Sequence, residues 1–130
     1  MNDKEVMEYD HNGNLIYRRY SIGYELCYDS HGNMIYAKHP DGYEAWYEHD
    51  ENGNVIHRRD STGRERWYDS NGNVIHSKFS NGYEAWAEYD ANGNLIHERN
   101  SYGSEYWYDS NGNRIPKSNM FKTMVPIHEQ

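Results

Sequence analysis

The chain has 130 residues, a formal net charge of -8 and a mean hydropathy of -1.23, and only 35% of its residues are apolar. The carboxylate excess argues against sequence-independent binding to nucleic acid or an anionic membrane, both of which reward Lys and Arg. A chain this polar is often disordered, but 14 Tyr, 4 Trp and 2 Phe bring its aromatic content to 15%, which fits an ordered β protein with a thin core. Cys27 is the single cysteine, so no intramolecular disulfide and no Cys-based zinc site is expected. Residues 1–5, Met-Asn-Asp-Lys-Glu, lack the basic and apolar regions of a signal peptide. No apolar run approaches the ~20 residues of a membrane span. The expected compartment is therefore the cytosol.

A Gly-Asn pair recurs at 13–14, 32–33, 53–54, 72–73, 93–94 and 112–113, with alternating spacings of 19 and 21 residues. Gly23, Gly42, Gly63, Gly82 and Gly103 follow the first five pairs by ten residues. The period is 40 residues, made of two unequal hairpins, and about three copies fill the chain. In each half an aromatic strand ends in Tyr-Asp, as at Tyr28-Asp29 and Tyr68-Asp69, with His49-Asp50 as the variant. A Gly turn follows, then an apolar pair ending in Ile16, Ile35, Ile56, Ile75, Ile96 or Ile115. Eleven turns at this spacing predict an all-β antiparallel meander of about 11–12 short strands over 1–115, as a curved sheet or hairpin solenoid. Residues 116–130, with Met120, Phe121, Met124, Val125 and Ile127, leave the repeat and are expected to cap its end. Docking a partner is the other reading of that segment.

Parity predicts the register. The Gly23-type turn reads as a three-residue loop in which Tyr20 faces Tyr24, and the Asn-Gly turn as a two-residue type I′ loop in which His11 faces Asn14. All six Ile then share one face with Tyr24, Leu26 and Tyr28. The other face carries Leu15, Val55, Val74 and Leu95, with Cys27, Trp46, Trp67, Trp86 and Trp107 in one recurring column. Long and short halves differ by two residues, an insertion that lengthens a strand without inverting its side chains.

Tyr-Asp-Ser-Asn-Gly-Asn-Val-Ile (68–75), followed by Gly82, resembles the YD repeat of RHS proteins. The resemblance covers roughly residues 8–115 and implies sheet built from Tyr-Asp hairpins. These 130 residues are too few to close the shell such repeats build, and no attached toxin is expected. The scheme is also similar to choline-binding and other cell-wall repeats, and to small stand-alone antitoxin repeats.

Candidate chemistry follows the repeat. Arg19, Lys38, Arg59, Lys78 and Arg99 each precede Glu25, Glu44, Glu65, Glu84 and Glu105 by six residues. In the predicted register each pair faces across a hairpin, as an ion-pair ladder worth ~0.2–1 kcal/mol per pair. Five equivalent copies give no privileged catalytic carboxylate. His57, His76 and His97 share a column but are spaced by about twice the ~4.8 Å interstrand distance, too far to share one metal ion. No phosphate loop, helix-period pattern or catalytic constellation stands out from the repeat, so neither an enzyme nor a cofactor is expected. Protein binding is the expected function: an acidic stoichiometric inhibitor, of immunity or antitoxin type, bacterial or phage-encoded, acting on a basic nucleic-acid-processing effector. Glu48, Asp50, Glu88 and Asp90 are its candidate contacts, because the long strands add carboxylates without adding a matched base. Two rivals are a wall module using Trp46 and Trp86 as an aromatic surface and a structural piece of an RHS-like assembly, which would associate edge to edge.

Overall fold

The computed structural model describes residues 4–116. They form one open sheet of twelve antiparallel strands in the order of the chain, with no helix. The strands are β1 (Val6–Tyr9), β2 (Leu15–Arg19), β3 (Glu25–Tyr28), β4 (Met34–Lys38), β5 (Glu44–His49), β6 (Val55–Asp60), β7 (Glu65–Tyr68), β8 (Val74–Lys78), β9 (Glu84–Tyr89), β10 (Leu95–Asn100), β11 (Glu105–Tyr108) and β12 (Arg114–Ile115). The expected cap at 116–130 lies, beyond Pro116, outside the described residues.

The turns close by one scheme. Tyr20 N–H donates to Tyr24 O and Gly23 N–H to Tyr20 O, as the three-residue reading requires. The Asn-Gly turns close in the same way: Asp10 N–H donates to Asn14 O, and Gly13 N–H to Asp10 O. The two-residue type I′ expectation is therefore corrected, and with it the facing of His11 and Asn14. That turn needs φ > 0 at both central residues, and among the described residues positive φ is confined to glycine, as at Gly13 (86°). The Asp supplies what Asn was expected to supply. Asp10 Oδ1 accepts the N–H groups of Asn12 and Asn14, both at 2.9 Å, and locks a three-residue loop. Asp29, Asp50, Asp69, Asp90 and Asp109 repeat this bond pair.

The longer loop shifts the ladder by one residue, and a β-bulge shifts it back. Tyr9 faces Leu15, but Glu8 faces Tyr17, leaving Ile16 as the extra residue. Ile35, Ile56, Ile75 and Ile96 hold the same place in β4, β6, β8 and β10. Beyond each bulge the predicted register holds, and all five Arg/Lys–Glu pairs face each other directly. Before the bulge the faces exchange. Leu15, Val55, Val74 and Leu95 oppose Tyr9, His49, Tyr68 and Tyr89, and so join the tyrosine face. Ile115 opposes Trp107 and Ile75 borders a hollow with Trp86 and His97, which places them on the indole face. The expected grouping of Ile with the tyrosines is corrected accordingly.

No second layer covers either face of the described sheet, so burial is shallow. Ala37, Ala45 and Trp107 are the buried apolar residues among those described, and Asp60 is a buried acid. Side chains stacked along each face are the only packing open to such a sheet.

Candidate functional site

On the indole face the expected single column resolves into three staggered ladders. Each begins at a Glu 40 residues after the last, Glu8 in β1, Glu48 in β5 and Glu88 in β9. The first runs Glu8, Tyr17, Cys27, Tyr36, Trp46, Arg59. The second runs Glu48, His57, Trp67, His76, Trp86, Arg99. The third runs Glu88, His97, Trp107, Ile115. The two residues added to each long strand produce the offset: straight cross-strand neighbours advance by one side-chain pair at every period.

The second ladder is a continuous stack. Ring centroids lie 4.9 Å apart for His57–Trp67, 4.4 Å for Trp67–His76 and 5.0 Å for His76–Trp86, with interplanar angles of 12–20°. Arg99 ends the stack, its guanidinium carbon 4.1 Å from the Trp86 ring centroid. Arg59 covers Trp46 likewise, at 4.2 Å, with Tyr36 tilted on its other side. Trp46 and Trp86 are thus covered on both flanks by their own chain.

Arg59 and Arg99 lie over indoles, and all five facing carboxylates, including those opposite Arg19, Lys38 and Lys78, bond an aromatic side chain. Glu65 bonds His57 Nε2 (2.9 Å), Glu84 bonds His76 Nε2 (2.9 Å), and Glu105 bonds His97 Nε2 (2.8 Å). Glu25 and Glu44 accept the hydroxyls of Tyr17 and Tyr36. The Tyr36 bond to Glu44, aided by burial, pushes the phenol pKa up to about 12. The residues of the predicted ion-pair ladder face each other as expected, but among the described residues none of the five pairs forms an ion pair; the diagonal aromatic takes the carboxylate instead.

The long strands complete two of these contacts. Glu48 bonds His57 Nδ1 (3.1 Å) and Glu88 bonds His97 Nδ1 (2.7 Å), so each imidazole lies between two carboxylates. Both ring nitrogens can donate only in the imidazolium. Burial opposes the charge on His97, but its bonds to Glu88 and Glu105 outweigh that cost and raise its pKa above the ordinary value. His76 has Glu84 alone, because the short strand β7 ends before a second Glu. Glu48 and Glu88 still present 70% of their side-chain surface to solvent.

Asp50 and Asp90 belong to the turns. Backbone bonds from Asn54 and Asn94 lead in holding their carboxyls below the ordinary value, as the equivalent Asn bonds do for Asp10, Asp29 and Asp69. Of the four acids singled out by sequence, the structure brings Glu48 and Glu88 to equivalent places on one face and gives Asp50 and Asp90 a local structural task. Sequence reasoning missed the Glu–His–Glu contacts, although the two-residue insertion was the signal for a diagonal offset. Among the described residues no group of three or more His, Cys, Asp or Glu is placed to hold a metal ion.

The tyrosine face carries its own network. Asp60 accepts the Tyr43 hydroxyl (2.8 Å) and Arg58 Nη1 (3.2 Å), while Arg58 Nη2 donates to Tyr43 Oη (2.7 Å). Burial works against the Asp60 charge, but bonds from Thr62 and Tyr43 prevail and keep its carboxyl well below the usual range.

A family model described as a MORN repeat variant matches residues 61–79. No curated protein matches the chain. Among solved structures it is similar to the crystal structure of TcdB2-TccC3-Cdc42, with 19% identity over 85% of this chain and a TM-score of 0.44. The Photorhabdus luminescens Tc holotoxin pore with a TccC3 mutation gives 18% identity over 78% and a TM-score of 0.43. The crystal structure of TcdB2-TccC3 gives 19% over 82% and a TM-score of 0.43. The chain spans 7%, 7% and 6% of the length of these three chains.

Proposed function

We propose that this chain is a non-catalytic, cytosolic protein-binding module with YD-type hairpins, which presents its indole face to a basic partner as a stoichiometric inhibitor of immunity or antitoxin type. The effector it restrains is a nucleic-acid-processing protein, whose basic cleft complements the carboxylates. One observation carries the reading: Glu48 and Glu88 occupy equivalent places on that face, each 70% exposed. Three strands lie between them, and the four strand steps span about 19 Å across the sheet at the ~4.8 Å strand spacing. Exposed charges set in such a row act chiefly on encounter rate. The wall-module alternative needs open indole faces, and Arg59 and Arg99 already lie over Trp46 and Trp86.

The test uses the partner retained from a host lysate. Association rates are measured at two salt concentrations for wild type, for E48K/E88K, and for D50N/D90N as a turn control checked for folding. The expected result is a slower rate and a flatter salt dependence for E48K/E88K alone. Rates unchanged by the double reversal at both concentrations would leave the carboxylates as a solubility feature and remove the reading.

A further inference from the structure

The repeat is broken at one place on the tyrosine face. Equivalent positions 18, 58 and 98 carry Arg, Arg and Glu; 24, 64 and 104 carry Tyr, Arg and Ser; 26, 66 and 106 carry Leu, Arg and Tyr. The middle period alone therefore brings three guanidinium groups together, in a chain whose net charge is -8. Arg58 and Arg66 face each other directly across β6 and β7, and like charges so placed destabilise a sheet.

One carboxylate, Asp60, stands against the three. It bonds Arg58, Tyr43 and Thr62 and is only 7% exposed, so it balances Arg58 and has little left for the others. Arg64 lies over the Phe79 ring at 4.9 Å, and its buried Nε has no hydrogen-bond partner. Arg66 has no ion pair among the described residues, where the ion pairs on this face are Arg18–Glu5 and Arg58–Asp60. Glu98, on the same face, is bonded to Tyr108. Beside Arg58 opens a hollow of about 360 Å³, bounded by Tyr47, Tyr68 and Val55 and by the turn from Ser70 to Gly72. The carboxylate of that turn, Asp69, is directed into its own loop by Asn71 and Asn73.

We propose that this hollow binds a phosphate monoester on a flat body of mononucleotide size, its body set between Tyr47 and Tyr68 and its phosphate at the rim, where Arg58 lines the hollow and Arg66, outside the lining, faces Arg58 across β6 and β7. Guanidinium forks match phosphate oxygens in pairs, aromatic rings take a flat body by stacking, and the volume falls within the range of small-ligand pockets. An oxyanion also supplies the counter-charge that the sheet withholds from Arg66. One period earlier, the hollow of about 310 Å³ beside Leu15 and Tyr28 has Leu26 in the place of Arg66. It lacks the facing arginine and is the internal comparison.

Calorimetric titration of the full chain with AMP, O-phosphotyrosine, adenosine and inorganic phosphate tests the proposal. AMP or O-phosphotyrosine binds, whichever body fits better, and adenosine and phosphate bind at least about tenfold more weakly. R66Q weakens the phosphorylated ligand at least about tenfold while keeping or raising the melting temperature, since it removes one of two facing like charges. R99Q, on the opposite face, leaves the affinity unchanged. Absence of binding by both phosphorylated probes, adenosine binding as tightly as AMP, or equal losses in R66Q and R99Q would each overturn the site.

Discussion

Replacing His97 by Gln removes a cation held between two strands, and the consequence depends on pH in a defined direction. Glu88 of β9 and Glu105 of β11 bond the two nitrogens of His97 in β10 at 2.7 and 2.8 Å. Two charge-assisted bonds in a dry site would contribute about 3 kcal/mol. Glu88 and Glu105 are 70% and 40% exposed, so solvent screening brings the pair to about 1 kcal/mol. The folded pKa of His97 is raised above its ordinary 6.5. Its contribution is therefore fully present below the unfolded pKa and lost as pH rises through the folded one. Urea unfolding of wild type and H97Q at pH 5.5, 7.0 and 8.5 measures this. The stability gap should be about 1 kcal/mol wider at the lowest pH than at the highest. The imidazole Cε1–H resonance of His97 should titrate above 6.5, and lower in E88Q than in wild type. A gap that does not change with pH, or a wild-type ring titrating at or below 6.5, would refute the staple.

The straight pair Arg59–Glu65 should show coupling below about 0.5 kcal/mol in a double-mutant cycle, whereas the diagonal His57–Glu65 should reach about 1 kcal/mol at pH 6, because the carboxylate bonds the imidazole. Gly72→Ala should cost about 1–2 kcal/mol in thermal or urea unfolding, from backbone strain alone at φ 87° with open space around the new methyl. Gly63→Ala should cost more by the same measurement, since its methyl would meet Ser80 Cβ at 3.1 Å.

The period, the strand count and the register beyond each turn were legible because each depends on the spacing of glycines and on parity. Turn type was not, since Asn-Gly serves both a two-residue loop and the last two places of a three-residue one. The Asp that decides between them marks a strand end in the Tyr-Asp pattern, and the pattern alone does not show that it is the acceptor for Asn12 and Asn14. One error concealed another. The extra turn residue and the extra Ile at the bulge cancel, so facings beyond the bulge, such as Glu8 with Tyr17, agree with the sequence reading while Leu15 and Ile115 exchange faces; the Arg–Glu facings depend on the Gly23-type loop alone. The candidate site was legible as positions and not as contacts. Where a long side chain goes depends on which neighbour offers the better surface, and Arg59 prefers Trp46 to Glu65.

That preference gives the unequal hairpins a physical purpose. With equal strands, every Glu would meet the same column at the same height, and the ladders would run straight. Two additional residues in β5 and β9 start a new ladder each period, with Glu48 and Glu88 at its head. The offset brings a carboxylate from each side to one imidazole and ties three consecutive strands through a single ring. In a sheet with no second described layer, cross-strand contacts have to do the work that a core does elsewhere. The same arrangement leaves each head carboxylate largely in water, so the residues that tie the sheet are also those it presents. A basic partner that engages Glu48 and Glu88 would compete with the imidazoles for them. Its binding should therefore strengthen as pH rises through the titration of His97, the opposite sense to the stability that the same histidine confers.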